Sequence, residues 1–400
     1  MPAKSIVRSS TLSAARISLA LLLVVLLVFP DGVAMAQSAC NTAQWEQSSV
    51  SLQNPIETFA SAVKNNYLYV IGGFDSASGA FQTQVGHSKL NSSTGALGAF
   101  TWQNLWSLQG ETQPVGLSRY LCGAVYTSPT TGNSYIYTVG GEIFDPVAKS
   151  TSLTGEIHFA QLNSSTGNIG TWQKANLTLN PALDLHGTVV LNGYLYIIGG
   201  STNNSNPPAG LTDQVLYARI NPSTGNLAGT AFTQGPPIES ATNGIYKTCP
   251  VIDAATNTIY VTGGETNNGA GNNPATANVV FAVQGSNGAL TDGNGNNQWG
   301  MATSLQSILA AQAVVYNNGI ILMGGDTTGK GPDTGAVQLG TIMAPPQTIS
   351  WTNLPSLTNL LNVVERNSGA TNSTFIYSLG GEVTQNRVTS DTNAIYCLKR

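Results

Sequence analysis

The chain has 400 residues, with 15 Lys and Arg against 19 Asp and Glu, and only 8% of it is charged. So little charge excludes an architecture of long solvent-facing helices, whose surfaces need charged helix formers. A net charge of −4 with no basic run excludes an electrostatic nucleic-acid surface.

Residues 1–36 stand apart from the rest. Lys4, Arg8 and Arg16 are basic, and 17–29 is an apolar run too short for a comfortable membrane span. Ala34-Met35-Ala36 then supplies a small-x-small cleavage signal. The pattern predicts a secretory signal peptide cut before Gln37, which leaves 37–400 as one secreted, extracellular or periplasmic domain with no membrane attachment. An uncleaved anchor and a lipoprotein cut at Cys40 are the alternatives. Gln37 disfavours the second, because a lipoprotein site wants an aliphatic residue there. Export also changes how Cys40, Cys122, Cys249 and Cys397 are read, since disulfides persist in oxidising compartments.

Beyond residue 40 one phrase recurs in chain order. It is YLYVIGG at 67–73, YIYTVGG at 135–141, YLYIIGG at 194–200, TIYVTGG at 258–264, GIILMGG at 319–325 and FIYSLGG at 375–381. The six copies are spaced by about 60 residues, the signature of a repeat architecture. Each unit has the same grammar. A short apolar strand such as HGTVVL at 186–191 leads through a tight turn such as Asn192-Gly193 into the aromatic strand ending in Gly-Gly. A variable Asn/Gly/Ser loop leads to a third strand such as QVLYARI at 214–220. A second phrase, LNSSTG at 90–95 and 162–167 and INPSTG at 220–225, then turns the chain. The fourth strand begins near Trp102, Trp172, Phe232, Trp299 or Trp351. Four antiparallel strands make one blade, and six blades around an axis bury the faces that one blade cannot. The predicted fold class is an all-β, six-bladed β-propeller. The double glycines fit a crowded inner region and the large aromatics a wider outer gap, so both are framework.

The Gly-Gly ending and the outer-strand Trp resemble the Kelch repeat over residues 40–400. Ile320-Ile321 in the fifth unit and Phe232 in the third depart from its pattern. The sixth unit stops at NAIYCLKR (393–400), with no fourth strand. CNTAQWEQ at 40–47 matches the outer-strand pattern of GTWQKA at 170–175, so the N-terminal strand is expected to complete the last blade. Aligned third strands place Ser88, Ala160, Ala218, Ala282 and Gly340 at one small-residue position, with Cys397 at that position in the sixth unit. Cys40 begins the partner strand, which predicts a Cys40–Cys397 disulfide stapling the ring. Its chain-entropy contribution is roughly 4–5 kcal/mol or less.

In Kelch propellers the loops entering the first strand and leaving the second share one face, and the resemblance implies that ligands meet it. Three features gather there. The residue after each Gly-Gly is Phe74, Glu142, Ser201, Glu265, Asp326 or Glu382. The acids among them form a binding rim for a cation, an amine or sugar hydroxyls, or they cap loop N–H groups. First strands align as Phe59, Cys122, His186, Cys249, Ala311 and Asn367. Cys122, His186 and Cys249 are thereby expected in one layer near the channel mouth, as separate thiols, a disulfide or, least favoured, a metal set. Arg119, Lys247, Glu365 and Arg366 precede or begin first strands, where an arginine is suited to clamping a carboxylate and all four to salt bridges between blades.

Galactose oxidase is also built on Kelch-type blades, but its copper–radical centre needs histidines on this face, and His87 and His158 fall in third strands. Sialidase turns resemble the LNSSTG phrase, yet 163–167 has no aspartate, and Arg119, Arg219, Arg366, Arg387 and Arg400 scatter over different strands. DGNGN at 292–296 resembles the start of a calcium loop, but Thr303 stands where the closing carboxylate belongs. Asn91, Asn163, Asn176, Asn203 and Asn372 lie in N-x-Ser/Thr sequons.

Two functions of different class follow. One is a secreted module that binds glycan or protein through its Asn/Gly-rich loop face, with Glu142, Glu265, Asp326, Glu382 and Lys247 around it. The other rests on a resemblance to the sialic-acid mutarotases, which share six Kelch units and export. That resemblance implies opening and reclosing of a hemiketal, with His186 or Glu365 moving a proton and Arg366 or Arg119 holding the sugar carboxylate. Neither reading calls for a cofactor or a metal.

Overall fold

The computed structural model describes residues 39–104, 122–145, 149–203, 210–238, 245–247, 249–266, 275–304, 311–326, 335–343, 348–356, 364–385 and 388–400. Residues 1–36, expected to be a signal peptide, and Arg119 lie outside the described residues. Gln37–Arg400 form one compact unit.

That unit is a six-bladed β-propeller built from antiparallel strands. Blade 1 comprises Ala60–Lys64, Tyr67–Ile71, Gln84–Lys89 and Thr101–Asn104. Blade 2 comprises Cys122–Thr127, Ser134–Val139, Ile157–Leu162 and Gln173–Lys174. Blade 3 comprises Gly187–Leu191, Tyr194–Ile198, Val215–Arg219 and Thr233–Gln234. Blade 4 comprises Cys249–Asp253, Thr258–Thr262 and Val279–Gln284, edged by Leu290–Thr291 and Gly300–Met301. Blade 5 comprises Gln312–Tyr316, Gly319–Met323, Val337–Ile342 and Ile349–Leu354. In blade 6, Ser368–Thr371, Phe375–Leu379 and Ile395–Lys399 share a sheet with Glu46–Gln47, and Glu46 lies opposite Cys397. The first strands touch one another in a closed cycle, 1-2-3-4-5-6-1. They line a central cavity of about 390 Å³ with small and apolar side chains such as Ala62, Val125, Val251 and Ala370.

The repeated phrases are the devices that join blades. Second strands are buried along their length apart from the half-buried Tyr194, and Tyr69, Tyr137, Tyr196, Tyr260 and Tyr377 are fully buried. All six glycine pairs are left-handed, the first at φ between +52° and +70° and the second between +99° and +114°. Only glycine holds that backbone without strain. It carries the second N–H to the next blade. Gly141 donates to the Leu183 carbonyl, Gly200 to Ile245 and Gly381 to Ile56, each at 2.8 Å.

The STG turn is the matching outer joint. Asn163 Oδ1 accepts from the N–H groups of Ser165 and Thr166, closing the turn. Gly167, Gly225 and Gly288 then lie flat under the rings of Tyr67, Tyr135 and Tyr194 in the preceding blades, too close for any Cβ. The outer tryptophans also bridge neighbours: Trp299 Nε1 donates to the Pro236 carbonyl and Trp45 Nε1 to Pro355.

Cys40 and Cys397 form a disulfide with their Cα atoms 5.3 Å apart. One alignment needs correction. Leu398, not Cys397, holds the position of Ser88 and Ala160, because it faces Ile376 as they face Leu68 and Ile136. Cys397 shares instead the position of His87, Phe159 and Tyr217. The connection between second and third strands differs in length from blade to blade, so the sequence alone leaves a one-residue slip open, and such a slip exchanges sheet faces.

Candidate functional site

Among the described residues, short hairpins rise from the face reached by the Gly-Gly segments: Phe74–Asp75 with Ala80–Phe81 on blade 1, and Glu142–Asp145 with Ser150–Leu153 on blade 2. On blade 6, Glu382–Gln385 pairs with both Val388–Asp391 and Val364–Glu365. On blade 4, Ile245–Tyr246 pairs with Glu265–Thr266. At the base of blades 1, 3, 4 and 6 the residue after Gly-Gly bridges to the residue three before the first strand. Phe74 meets Glu57, Ser201 meets Asp184, Glu265 meets Tyr246 and Glu382 meets Glu365.

The following position, two before the first strand, carries a left-handed residue: Thr58, Leu185, Lys247 or Arg366, at φ +52° to +53°. The two cations there are each held by a carboxylate. Lys247 Nζ lies 2.7 Å from Glu265 Oε1. Arg366 Nη1 lies 2.6 Å from Glu382 Oε2 and 3.0 Å from Glu57 Oε2. Glu57 comes from blade 1, so Arg366 ties the blade 6–blade 1 seam. Asp391 stands in the same cluster and accepts from the Ser76 N–H at 2.6 Å. Burial pushes its carboxyl pKa up, the Ser76 bond opposes this, and Glu57 and Asp75 add to the rise.

The acids expected at the rim are mostly sunk beneath it. Glu142, Glu265 and Asp326 are only 4–5% exposed, so they brace hairpin bases more than they meet solvent. What the hairpins present is aromatic. Phe74 packs edge-on against Phe81 at 5.3 Å, and Phe81 stacks on Phe144 of blade 2 at 5.7 Å with planes 10° apart. All three are half-buried. Sequence reading passed over this trio and over Glu57 and Asp391. The available signal was Phe74, the one aromatic in a slot otherwise filled by acids and a serine.

The expected layer of Cys122, His186 and Cys249 does not form. Cys122 faces Val139 and Cys249 faces Thr262, the residues just before Gly-Gly, whereas in blade 3 that register position belongs to Gly187. Both cysteines therefore sit one residue further along than His186. The slip arises in the first turns, two residues long at Asn192-Gly193 but longer after Asp253. Among the described residues no group of three or more His, Cys, Asp or Glu is placed to hold a metal ion.

His186 is a wedge between blades. Its ring carbon Cε1 lies against Gly140 of blade 2 and its Cβ against Gly200 of its own blade. Phe59 fills the equivalent wedge at the blade 6–blade 1 seam, against Gly380 and Gly73. Asn367 holds the same register position in blade 6, and its Nδ2 donates to Ser378 Oγ at 2.8 Å. Burial pushes the His186 imidazole down to about 4, against a backbone hydrogen bond to Val139, so it is neutral at pH 7. It and Arg366 belong to different seams. The Glu365 backbone pairs with Glu382, and its side chain lies outside the described residues.

On the opposite face, the calcium-like loop serves itself. Asp292 accepts from the Asn294 and Asn296 N–H groups and from the side chains of Asn296 and Gln298. The Asn296 side-chain bond leads the effects that draw its pKa down to about 2.

No known protein-family model matches the chain, and no curated protein matches its sequence. The fold does match solved structures. One, described as "Structure of YjhT", superposes over 85% of this chain and 95% of its own with a TM-score of 0.57 and 15% sequence identity. That likeness shows the propeller fold.

Proposed function

We propose that this chain is a secreted Kelch-type propeller that binds glycans through its hairpin face, the stacked Phe81 and Phe144, with Phe74 packed edge-on beside them, forming the platform for a sugar ring. The observation that carries this reading is the half-exposed aromatic stack shared by two neighbouring hairpins. Ring faces of sugars pack on such surfaces. The disulfide is consistent with an oxidising, extracellular or periplasmic setting.

The mutarotase-type alternative needs a free cation for the substrate carboxylate and a group that titrates at the site. Lys247 and Arg366 are already engaged by carboxylates, and His186 is buried and neutral in a seam. Among the described candidates these facts favour binding over catalysis; Arg119 and the Glu365 side chain lie outside the described residues. Glycan-array binding run beside an NMR anomerisation assay on free sialic acid tests the choice. Array binding without rate enhancement is expected. Rate enhancement would establish the enzyme, and silence in both would overturn glycan recognition.

A further inference from the structure

A second concavity lies on the face opposite the hairpins. It is a groove of about 510 Å³ at the seam of blades 2 and 3, walled by Tyr126, Pro129 and Thr130 on one side and Gly193, Arg219 and Pro222 on the other. Arg219 ends the third strand of blade 3, where its backbone faces Tyr194. It is exposed and enters no ion pair among the described residues, unlike Lys247, Arg366 and Lys174, each of which is held by a carboxylate.

The fold does not require a cation at this position. The equivalent residue is Gln161 in blade 2, Val283 in blade 4 and Thr341 in blade 5, though Lys89 and Lys399 hold it in blades 1 and 6. The groove is kept open by Gly193, where an added Cβ would have only Tyr126 within 4 Å, its hydroxyl at 3.8 Å. The Tyr126 ring is buried beneath, and its stack on Tyr135, with centroids 6.4 Å apart, fixes the direction of that hydroxyl.

We infer that this groove binds a carboxylate-bearing ligand of monosaccharide size, with Arg219 as the anion anchor. A guanidinium presents two parallel N–H donors that match a carboxylate in a way an ammonium does not. The Tyr126 hydroxyl borders the groove within reach of a ligand hydroxyl, the Thr130 hydroxyl already pairs with Ser128 Oγ at 3.0 Å, and Pro129 and Pro222 flank an apolar ring face. The volume falls in the usual range for small-molecule sites. The site is independent of the hairpin face.

The test is an NMR titration with D-glucuronate and with D-glucose, which differ at C6, on the whole protein and on Arg219→Gln and Arg219→Lys. Saturable glucuronate binding is expected, at least about tenfold tighter than glucose, weakened about tenfold by Arg219→Gln and less by Arg219→Lys. Shifted resonances should include Tyr126 and Gly193. Arg219 is exposed, so unchanged thermal unfolding confirms that the variants fold. No saturable glucuronate binding, equal affinity for glucose, or unaltered affinity in Arg219→Gln would overturn the proposal. Phe81→Ser should leave this binding intact, which separates the outcome from that of the hairpin face.

Discussion

Tyr196 of blade 3 donates its hydroxyl to the carbonyl of Gly288 in blade 4, 2.7 Å away. Tyr137 makes the same bond to Gly225 and Tyr377 to Gly95, so one motif joins three pairs of neighbouring blades. Tyr196 also accepts from Gln284 Nε2 at 2.6 Å. Tyr196→Phe removes this partner from the Gly288 carbonyl and from one Gln284 N–H, whose Nε2 keeps its bond to the Leu191 carbonyl, and should cost about 1–3 kcal/mol in urea unfolding.

The glycine beneath the ring is a separate requirement. At Gly288, φ is +84° and a Cβ would come within 2.6 Å of the Tyr194 ring; at Gly132, φ is +72° and nothing lies within 4 Å. Gly132→Ala should therefore lose only the backbone preference, about 1–2 kcal/mol. Gly288→Ala should lose a further 1–3 kcal/mol or so from overpacking. Equal losses in the two variants would mean that the stacked contact contributes nothing.

These devices explain what the sequence disclosed. Gly-Gly, the paired tyrosines and the STG turn each serve an identical contact in successive seams, so they recur and the propeller can be read from them. The site was less legible. Cys122 and Cys249 slipped one residue against His186 because turn lengths vary, and strand faces alternate with every residue. The stack of Phe81 on Phe144 brings two blades together, and no local pattern announces it. The acids after Gly-Gly were visible, but their burial under the hairpins was not.

His186 makes stability depend on pH. Folded, it titrates at about 4; unfolded, at about 6.5. Between those values the unfolded chain holds the extra proton, so stability falls as pH drops from 6.5 toward 4. His158, also pushed down to about 4 by burial, adds to the same slope. His186→Phe, the residue that fills this wedge in blade 1, should flatten the acid slope of Tm by His186's share. An unchanged slope would mean that His186 takes up its proton without unfolding.

Cys40–Cys397 spans a sequence separation of 357 residues. Reduction, or Cys40→Ser, should lower unfolding free energy by up to about 5 kcal/mol. The variant should be insensitive to added reductant, whereas the parent should fall to the variant's value.

Arg366 bridges Glu382 and the buried Glu57. Arg366→Met leaves Glu57 without its cation, at a cost of roughly 2–3 kcal/mol, moderated because the guanidinium is partly solvated. Glu57→Gln together with Arg366→Met should recover part of that loss, which a double-mutant cycle by denaturant unfolding reads directly.

The central claim is that the aromatic stack on the hairpin face is a glycan platform. The direct measurement is glycan-array binding of the parent protein and of Phe81→Ser, with thermal unfolding as the check on folding. Binding to a defined set of glycans, lost by at least about tenfold in Phe81→Ser while thermal unfolding shows the variant still cooperatively folded, is the expected result, in line with about 1.4 kcal/mol from one ring contact. A parent that binds no glycan, or a Phe81→Ser variant that binds as well as the parent, would contradict it.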